Sequence, residues 1–150
     1  MSIGQGFVSL MGRCVKLLSM ARRKTGKVIK QGGINVWPHE QIMADILAEN
    51  GYIVEFIEPS IRKNERTPDV KIDGVGWELK SPRASSLKAV ERNLKRGRWQ
   101  SDKIVFASRR MKGIPDKAIE RELKNRSKEI DGLSRIIFIN RQKEIVDIKK

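Results

Sequence analysis

Asp69, Glu78 and Lys80 are the residues of this chain whose types and spacing point most directly to chemistry, and they share one stretch, TPDVKIDGVGWELKSP, from Thr67 to Pro82. Asp73-Gly74 readily takes the two positive φ angles of a type I′ turn, so it predicts a tight hairpin between two alternating runs. That turn pairs Ile72 with Val75, Lys71 with Gly76, Val70 with Trp77 and Asp69 with Glu78. Because strand side chains alternate, Val70, Ile72, Val75, Trp77 and Leu79 share one face, and Asp69, Lys71, Glu78 and Lys80 share the other. The first is a core face. The second sets two carboxylates opposite each other, a destabilising pair unless something cationic sits between or beside them. One such cation is Mg²⁺, which prefers oxygen ligands, keeps several waters and usually takes one or two carboxylates plus phosphate oxygens. Asp69 and Glu78 would be its carboxylates and the Leu79 carbonyl a third ligand, with Mn²⁺ or another divalent ion as a substitute. Lys80 would orient or deprotonate a water, or offset developing phosphorane charge, and the predicted reaction is phosphodiester hydrolysis. The bland alternative is that Lys71 and Lys80 form cross-strand ion pairs with the same carboxylates on a solvated sheet face.

The elements that would position these residues follow from periodicity and punctuation. Pro38 suits the first turn of a helix whose apolar stripe is Ile42, Met43, Ile46 and Leu47, ended by Asn50-Gly51. YIVEFIE reads as a strand, PSIRKNER as a polar loop, and the hairpin comes next. Leu87, Val90 and Leu94 then recur at helical spacing, with Gly97 as the expected stop. KIVFAS is a short buried strand, and PDKAIERELKNRSKEI is a helix opened by Pro115 and closed near Gly132. RIIFIN and EIVDIKK form a last hairpin or a strand with its edge partner. The expectation is an α/β fold in which helices sandwich a sheet.

Composition bounds the partners. The chain has 150 residues, 32 Lys+Arg against 18 Asp+Glu, and a formal charge of +14, with basic residues spread throughout. A polyanion is the simplest partner, because neutralised phosphates release counterions and supply affinity without reading sequence. Cys14 is the only cysteine, so an internal disulfide and a thiolate metal cluster are both excluded. Residues 6–21 read as an amphipathic helix, too short and too charged to span a bilayer, so stable membrane insertion is not expected. From Phe7 to Met20 its apolar face offers a surface for packing on the body or for a homodimer. Residues 22–36 are basic and glycine-containing, a linker or an arm facing nucleic acid. The expected division is 1–35, helix and basic linker, and 36–150, the catalytic domain.

Pro68-Asp69 followed by Glu78-Leu79-Lys80 resembles the PD-(D/E)xK nuclease superfamily, whose restriction-endonuclease-like core is a helix, three strands, a helix and a strand in this order. The resemblance covers roughly residues 36 to 108 and implies that Asp69 and Glu78 are metal ligands and Lys80 the catalytic lysine. Many members carry an acidic residue on the first helix, and Glu40 is the matching position; its other role is favourable charge in a first helical turn. ELKSP, followed by a helix and by Gln100-Ser101-Asp102, looks like the C-terminal nuclease domains of contact-dependent growth inhibition and other polymorphic toxins. That resemblance implies a substrate-orienting role for Gln100, tRNA or DNA as substrate, a cognate immunity protein, delivery from another cell and a cytoplasmic site of action. Ser101 departs from the small apolar residue of the pattern.

Other residues have two readings each. Lys88, Arg92, Lys95, Arg96 and Arg98 could track phosphates or be a solvated basic face. Trp99 could stack on a base or anchor a helix-strand corner. His39, the only histidine, could be a packed imidazole on the helix's apolar stripe or a general base, and the first is favoured. Three functions follow: a metal-dependent nuclease of toxin type acting on tRNA or other RNA, a DNA endonuclease of a mobile-element, restriction or repair system, and a non-catalytic nucleic-acid-binding domain. Intact Asp69, Glu78 and Lys80 favour catalysis over binding alone.

Overall fold

A computed structural model of the chain describes residues 25–150; the helix expected over residues 6–21, with its homodimer surface, lies outside the described residues. The elements run β1 (Lys27–Ile29), α1 (Pro38–Glu49), β2 (Ile53–Phe56), β3 (Val70–Ile72), β4 (Val75–Lys80), α2 (Lys88–Arg98), β5 (Lys103–Ala107), α3 (Asp116–Glu129), β6 (Arg135–Ile139) and β7 (Ile145–Lys149). All seven strands form one sheet in chain order. The fold is mixed α/β, with three helices on the sheet among the described residues. Lys27–Ile29, expected in a basic linker, instead pairs in parallel with β2 and adds an edge strand. Three residues are too few to leave a readable period, and the sheet edge supplies the hydrogen bonds that the sequence does not announce.

The sheet is two-sided. On one side Met43, Ile46 and Leu47 of α1 pack on Val54, Phe56, Val70, Ile72, Trp77 and Leu79. On the other Val90, Leu94, Ile119 and Leu123 of α2 and α3 pack on Ile104, Phe106, Ile136 and Phe138. Parallel strands covered on both faces explain why KIVFA and RIIFI are continuous apolar runs rather than alternating ones. Gly97 does not stop α2; it lies buried inside the last turn, where the helix sits close against the sheet.

The hairpin has the expected register: Val70 opposes Trp77, Lys71 opposes Gly76 and Ile72 opposes Val75. Asp73 and Gly74 have φ of 50° and 85°, the two positive values a type I′ turn needs. Val75 departs from the expected core face and is 46% exposed, because it sits beside the turn, past the cover of α1. β4 is the central strand, antiparallel to β3 and parallel to β5, with Glu78 beside Ile104 and Lys80 beside Phe106. On the charged face of the hairpin Glu78 is therefore buried on the side of the second core, Asp69 and Lys80 are half-buried, and Lys71 faces water.

Gly76 locks Asp69 in place through its neighbour. A Cβ there would lie 2.8 Å from Cγ of Pro68, a rigid ring that cannot swing aside. Gly76→Ala should destabilise the protein by about 1 to 3 kcal/mol, the usual cost of overpacking, as read from urea unfolding. A variant as stable as the parent would show that Pro68 is free to move.

Candidate active site

Three side chains that the sequence predicts together are brought together. Asp69, just ahead of β3, accepts the Leu79 N–H on Oδ2 at 2.8 Å, so the strand backbone aims this carboxylate at β4. Leu79 itself is buried on the α1 side, leaving only its peptide groups for the site. Glu78 is 5% exposed, and its Oε1 accepts Nζ of Lys80 at 2.9 Å. Its Oε2 is buried and has no hydrogen-bond partner among the described residues. Burial pushes the Glu78 carboxyl up to about 7, and the neighbouring Asp69 carboxylate pushes the same way, against the hydrogen bond and charge of Lys80. The one ammonium at the cluster thus pairs with Glu78 and leaves Asp69 without an ion pair among the described residues. A proton held between the two carboxylates, or a cation, would satisfy the orphaned oxygen; an unmet buried acceptor costs about 1 to 3 kcal/mol.

The donor set suits a hard divalent ion. It offers two carboxylates with one oxygen unspent, on strands rigidly paired on both sides, which matches an ion that retains most of its waters. Among the described residues no group of three His, Cys, Asp or Glu side chains is arranged to hold a metal, so the carboxylates that could hold one here are Asp69 and Glu78. Glu40 lies at the near end of α1 and is half-buried; its Oε2 accepts the Trp37 N–H at 3.2 Å. Burial raises its carboxyl, the Trp37 hydrogen bond opposes this, and the charges of Asp69 and Lys80 both reach it. Glu40 therefore borders the cluster while also bonding the start of its helix. Among the described residues neither Lys71 nor Lys80 forms a cross-strand ion pair with Asp69 or Glu78, and the contact between Lys80 and Glu78 runs along β4 itself.

The remaining predicted residues lie elsewhere. The Gln100 N–H closes α2 on the Gly97 carbonyl at 2.9 Å, and its exposed side chain bonds to no other described residue. Ser101 Oγ donates to the Gly76 carbonyl at 3.0 Å, tying the α2–β5 corner to the hairpin. Lys88, Arg92, Lys95 and Arg96 border an exposed cleft along α2, where Lys95 pairs with Glu91 at 2.7 Å. Trp99 is 54% exposed rather than a core anchor, with the guanidinium carbons of Arg66 and Arg98 at 4.7 and 5.6 Å from its ring centre. Nor is His39 packed: it is half-buried and stacked on Trp37, at a cleft mouth. Helical periodicity places a residue on a stripe but does not say where the neighbouring layer ends. Sequence reasoning missed the cations of the loops after β4 and β5, Arg83, Arg109, Arg110 and Lys112, which line a cleft past the carboxyl ends of these strands. Their signal was position, since sites of α/β sheets form outside the carboxyl ends of parallel strands.

Residues 66–145 match the family model described as contact-dependent growth inhibition CdiA C-terminal domain. Among solved structures the chain is similar to one from Burkholderia pseudomallei described as a CdiA-CT/CdiI toxin and immunity complex, at 22% identity and a TM-score of 0.61, over 83% of this chain and 100% of that one. At that identity the likeness is one of fold. No curated protein matches the chain. The matched residues include Asp69, Glu78, Lys80 and the cationic loops.

Glu78 gives the metal-free protein a defined pH dependence. Its folded-state value near 7 exceeds the ordinary 4.5, so between these limits the folded form holds a proton that the unfolded chain has released. Stability should therefore fall as pH rises from 5 to 7.5 in EDTA, and Glu78→Gln should remove that fall and raise Tm above wild type at pH 7.5. An unchanged pH slope in the variant would show that Glu78 is ionised throughout.

Proposed function

The chain belongs to the contact-dependent growth inhibition CdiA C-terminal domain family, and on that premise we propose that it is a metal-dependent nuclease of toxin type with a PD-(D/E)xK core. RNA, including tRNA, is its proposed substrate class. The observation that carries the reading is the buried Glu78 carboxylate, with one oxygen unpartnered beside Asp69. The chain order of helix, three strands, helix and strand over Pro38–Ala107 supports the same core. In no described residue range is a helix long and apolar enough to cross a membrane.

Asp69 and Glu78 would hold Mg²⁺ or Mn²⁺, with the Leu79 carbonyl as a further oxygen. When bound, the ion supplies Lewis-acid polarisation of a phosphoryl oxygen and acidifies water. The protein's own groups do the rest. Lys80, 22% exposed at its side chain and held at Glu78, keeps a positive charge within reach of the phosphorane as it forms. Ionised Glu78 is required for the ion, so its high pKa ties loading of the site to pH. Glu40 is placed to orient water at the cluster edge, and surface cations gather the polyanion. A cognate immunity protein and delivery into the cytoplasm of another cell complete the toxin reading; the similar Burkholderia structure is described as a toxin with its immunity protein.

The test is gel-resolved digestion of total tRNA, plasmid and single-stranded DNA by wild type, Asp69→Asn and Lys80→Ala, with Mg²⁺ or EDTA. Cleavage of RNA that EDTA abolishes, and that each variant lowers by about a hundredfold or more, is expected. Selective cleavage of plasmid would reassign the enzyme to DNA. Tight binding without cleavage of anything would make the carboxylates an ion network and the domain a binder.

A further inference from the structure

We propose that Arg83, Arg109, Arg110 and Lys112, with Trp37 at their edge, form a subsite for an unpaired nucleotide, its phosphates on the cations and its base on the exposed indole. The inference rests on the nucleic-acid reading above and specifies which strand state the protein grips. It starts from two adjoining clefts of about 720 and 670 Å³ that share Arg83, Arg109 and Arg110. These volumes lie in the range of pockets that enclose small organic ligands.

The cleft walls are fixed rather than loose. The loops after β4 and β5 are joined by the Lys112 N–H donating to the Ala84 carbonyl at 3.0 Å. Between them Met111 is buried, its N–H donates to the Ser108 carbonyl at 2.9 Å, and its own carbonyl accepts Nη2 of Arg141 at 2.6 Å. Asp116 is committed to Arg141 at 2.7 Å and to Ser108 at 2.6 Å. Arg83, Arg109, Arg110 and Lys112 consequently have no carboxylate partner among the described residues. Nε of Arg110 is buried and has no hydrogen-bond partner there either. Converging cations with an unmet buried donor are what a phosphate's oxygens would satisfy.

Trp37 supplies the second half of the subsite. It is 68% exposed, and its ring stacks on His39 with centres 6.4 Å apart and an interplanar angle of 22°. His39, beside Trp37, lines the second cleft together with Arg83, Arg109 and Arg110, so the indole and the cations border one space. Trp99, also exposed, already carries Arg66 and Arg98 over its ring, whereas no guanidinium lies over Trp37 among the described residues. A base can reach the open face of this indole only when it is not stacked within a duplex, which favours single-stranded or looped substrate.

Binding is measured by fluorescence anisotropy in EDTA, with a labelled single-stranded RNA dodecamer and an RNA duplex of equal length, across a salt series. Arg83→Ala and Arg110→Ala should each weaken single-strand binding about tenfold and lower the salt slope by about one. Trp37→Ala should weaken single-strand binding by about tenfold and leave the duplex unchanged. Lys128→Ala, on the distant end of α3, should change neither. Arg83 is exposed, so its variant carries the test if Arg110→Ala unfolds. Equal losses in Lys128→Ala and the arginine variants, or a Trp37→Ala variant that binds single strands like wild type, would overturn the subsite. So would competition by polyglutamate that needs the arginines when RNA binding does not, which would make the cleft a surface for an acidic protein. Arginine-independent binding with cleavage intact refutes the subsite alone. Arginine-dependent binding without cleavage in Mg²⁺ supports it and refutes the nuclease reading alone.

Discussion

Two carboxylates forced together inside a sheet are the constraint around which this molecule is arranged. The hairpin register opposes Asp69 to Glu78, and the parallel pairing of β4 with β5 carries Glu78 into the second core, away from water. Like charges in such a place repel more strongly than in solution, and removing each from water costs several kcal/mol unless it is paired. Among the described residues one ammonium, that of Lys80, pairs with Glu78 and none pairs with Asp69. The cluster is left with a net negative charge in a chain whose formal charge is +14. A fold selected only for stability would have put one of its many cations at Oε2 of Glu78, or an apolar side chain in its place. In the proposed function that unspent buried oxygen would be a coordination position.

The same charge balance orders the surroundings. In the proposed function a negative floor at Asp69 and Glu78 would attract a divalent ion, and a positive rim of Arg83, Arg109, Arg110 and Lys112 would attract a polyanion. Neither could work in the other's position: cations at the floor would exclude the ion, and carboxylates at the rim would repel phosphate. Backbone bonds hold the two zones apart, from the Leu79 N–H at Asp69 to the Lys112 N–H at the Ala84 carbonyl. Rigid placement matters because a group off by about 1 Å loses much of its catalytic value.

The hairpin and the trio on it were legible in the sequence because every signal for them is local. Asp73-Gly74 dictates the turn, the turn dictates the register, and period two then assigns the faces. Pro38 and Asn50-Gly51 likewise bound α1 as expected. What depends on a distant layer was not legible. Whether Trp99 and His39 are buried is decided by where the neighbouring helices end, and β1 forms because β2 presents a free edge. Gly97 reads as a stop by propensity, yet close packing on the sheet holds it helical. The cationic cleft was hidden for a related reason: Arg83 and Arg110 are 27 positions apart, and only the parallel pairing of β4 and β5 sets their loops side by side.

The central claim, that the carboxylate pair is a divalent-ion site, is tested most directly by isothermal titration of Mn²⁺ into the metal-free protein at pH 6 and pH 7. One saturable site is expected, tightening by about fivefold between the two pH values, because the proton on Glu78 near pH 7 must leave for the ion to enter, and lost in Asp69→Asn. No saturable binding at either pH, or binding of equal strength at both that survives Asp69→Asn, would contradict it.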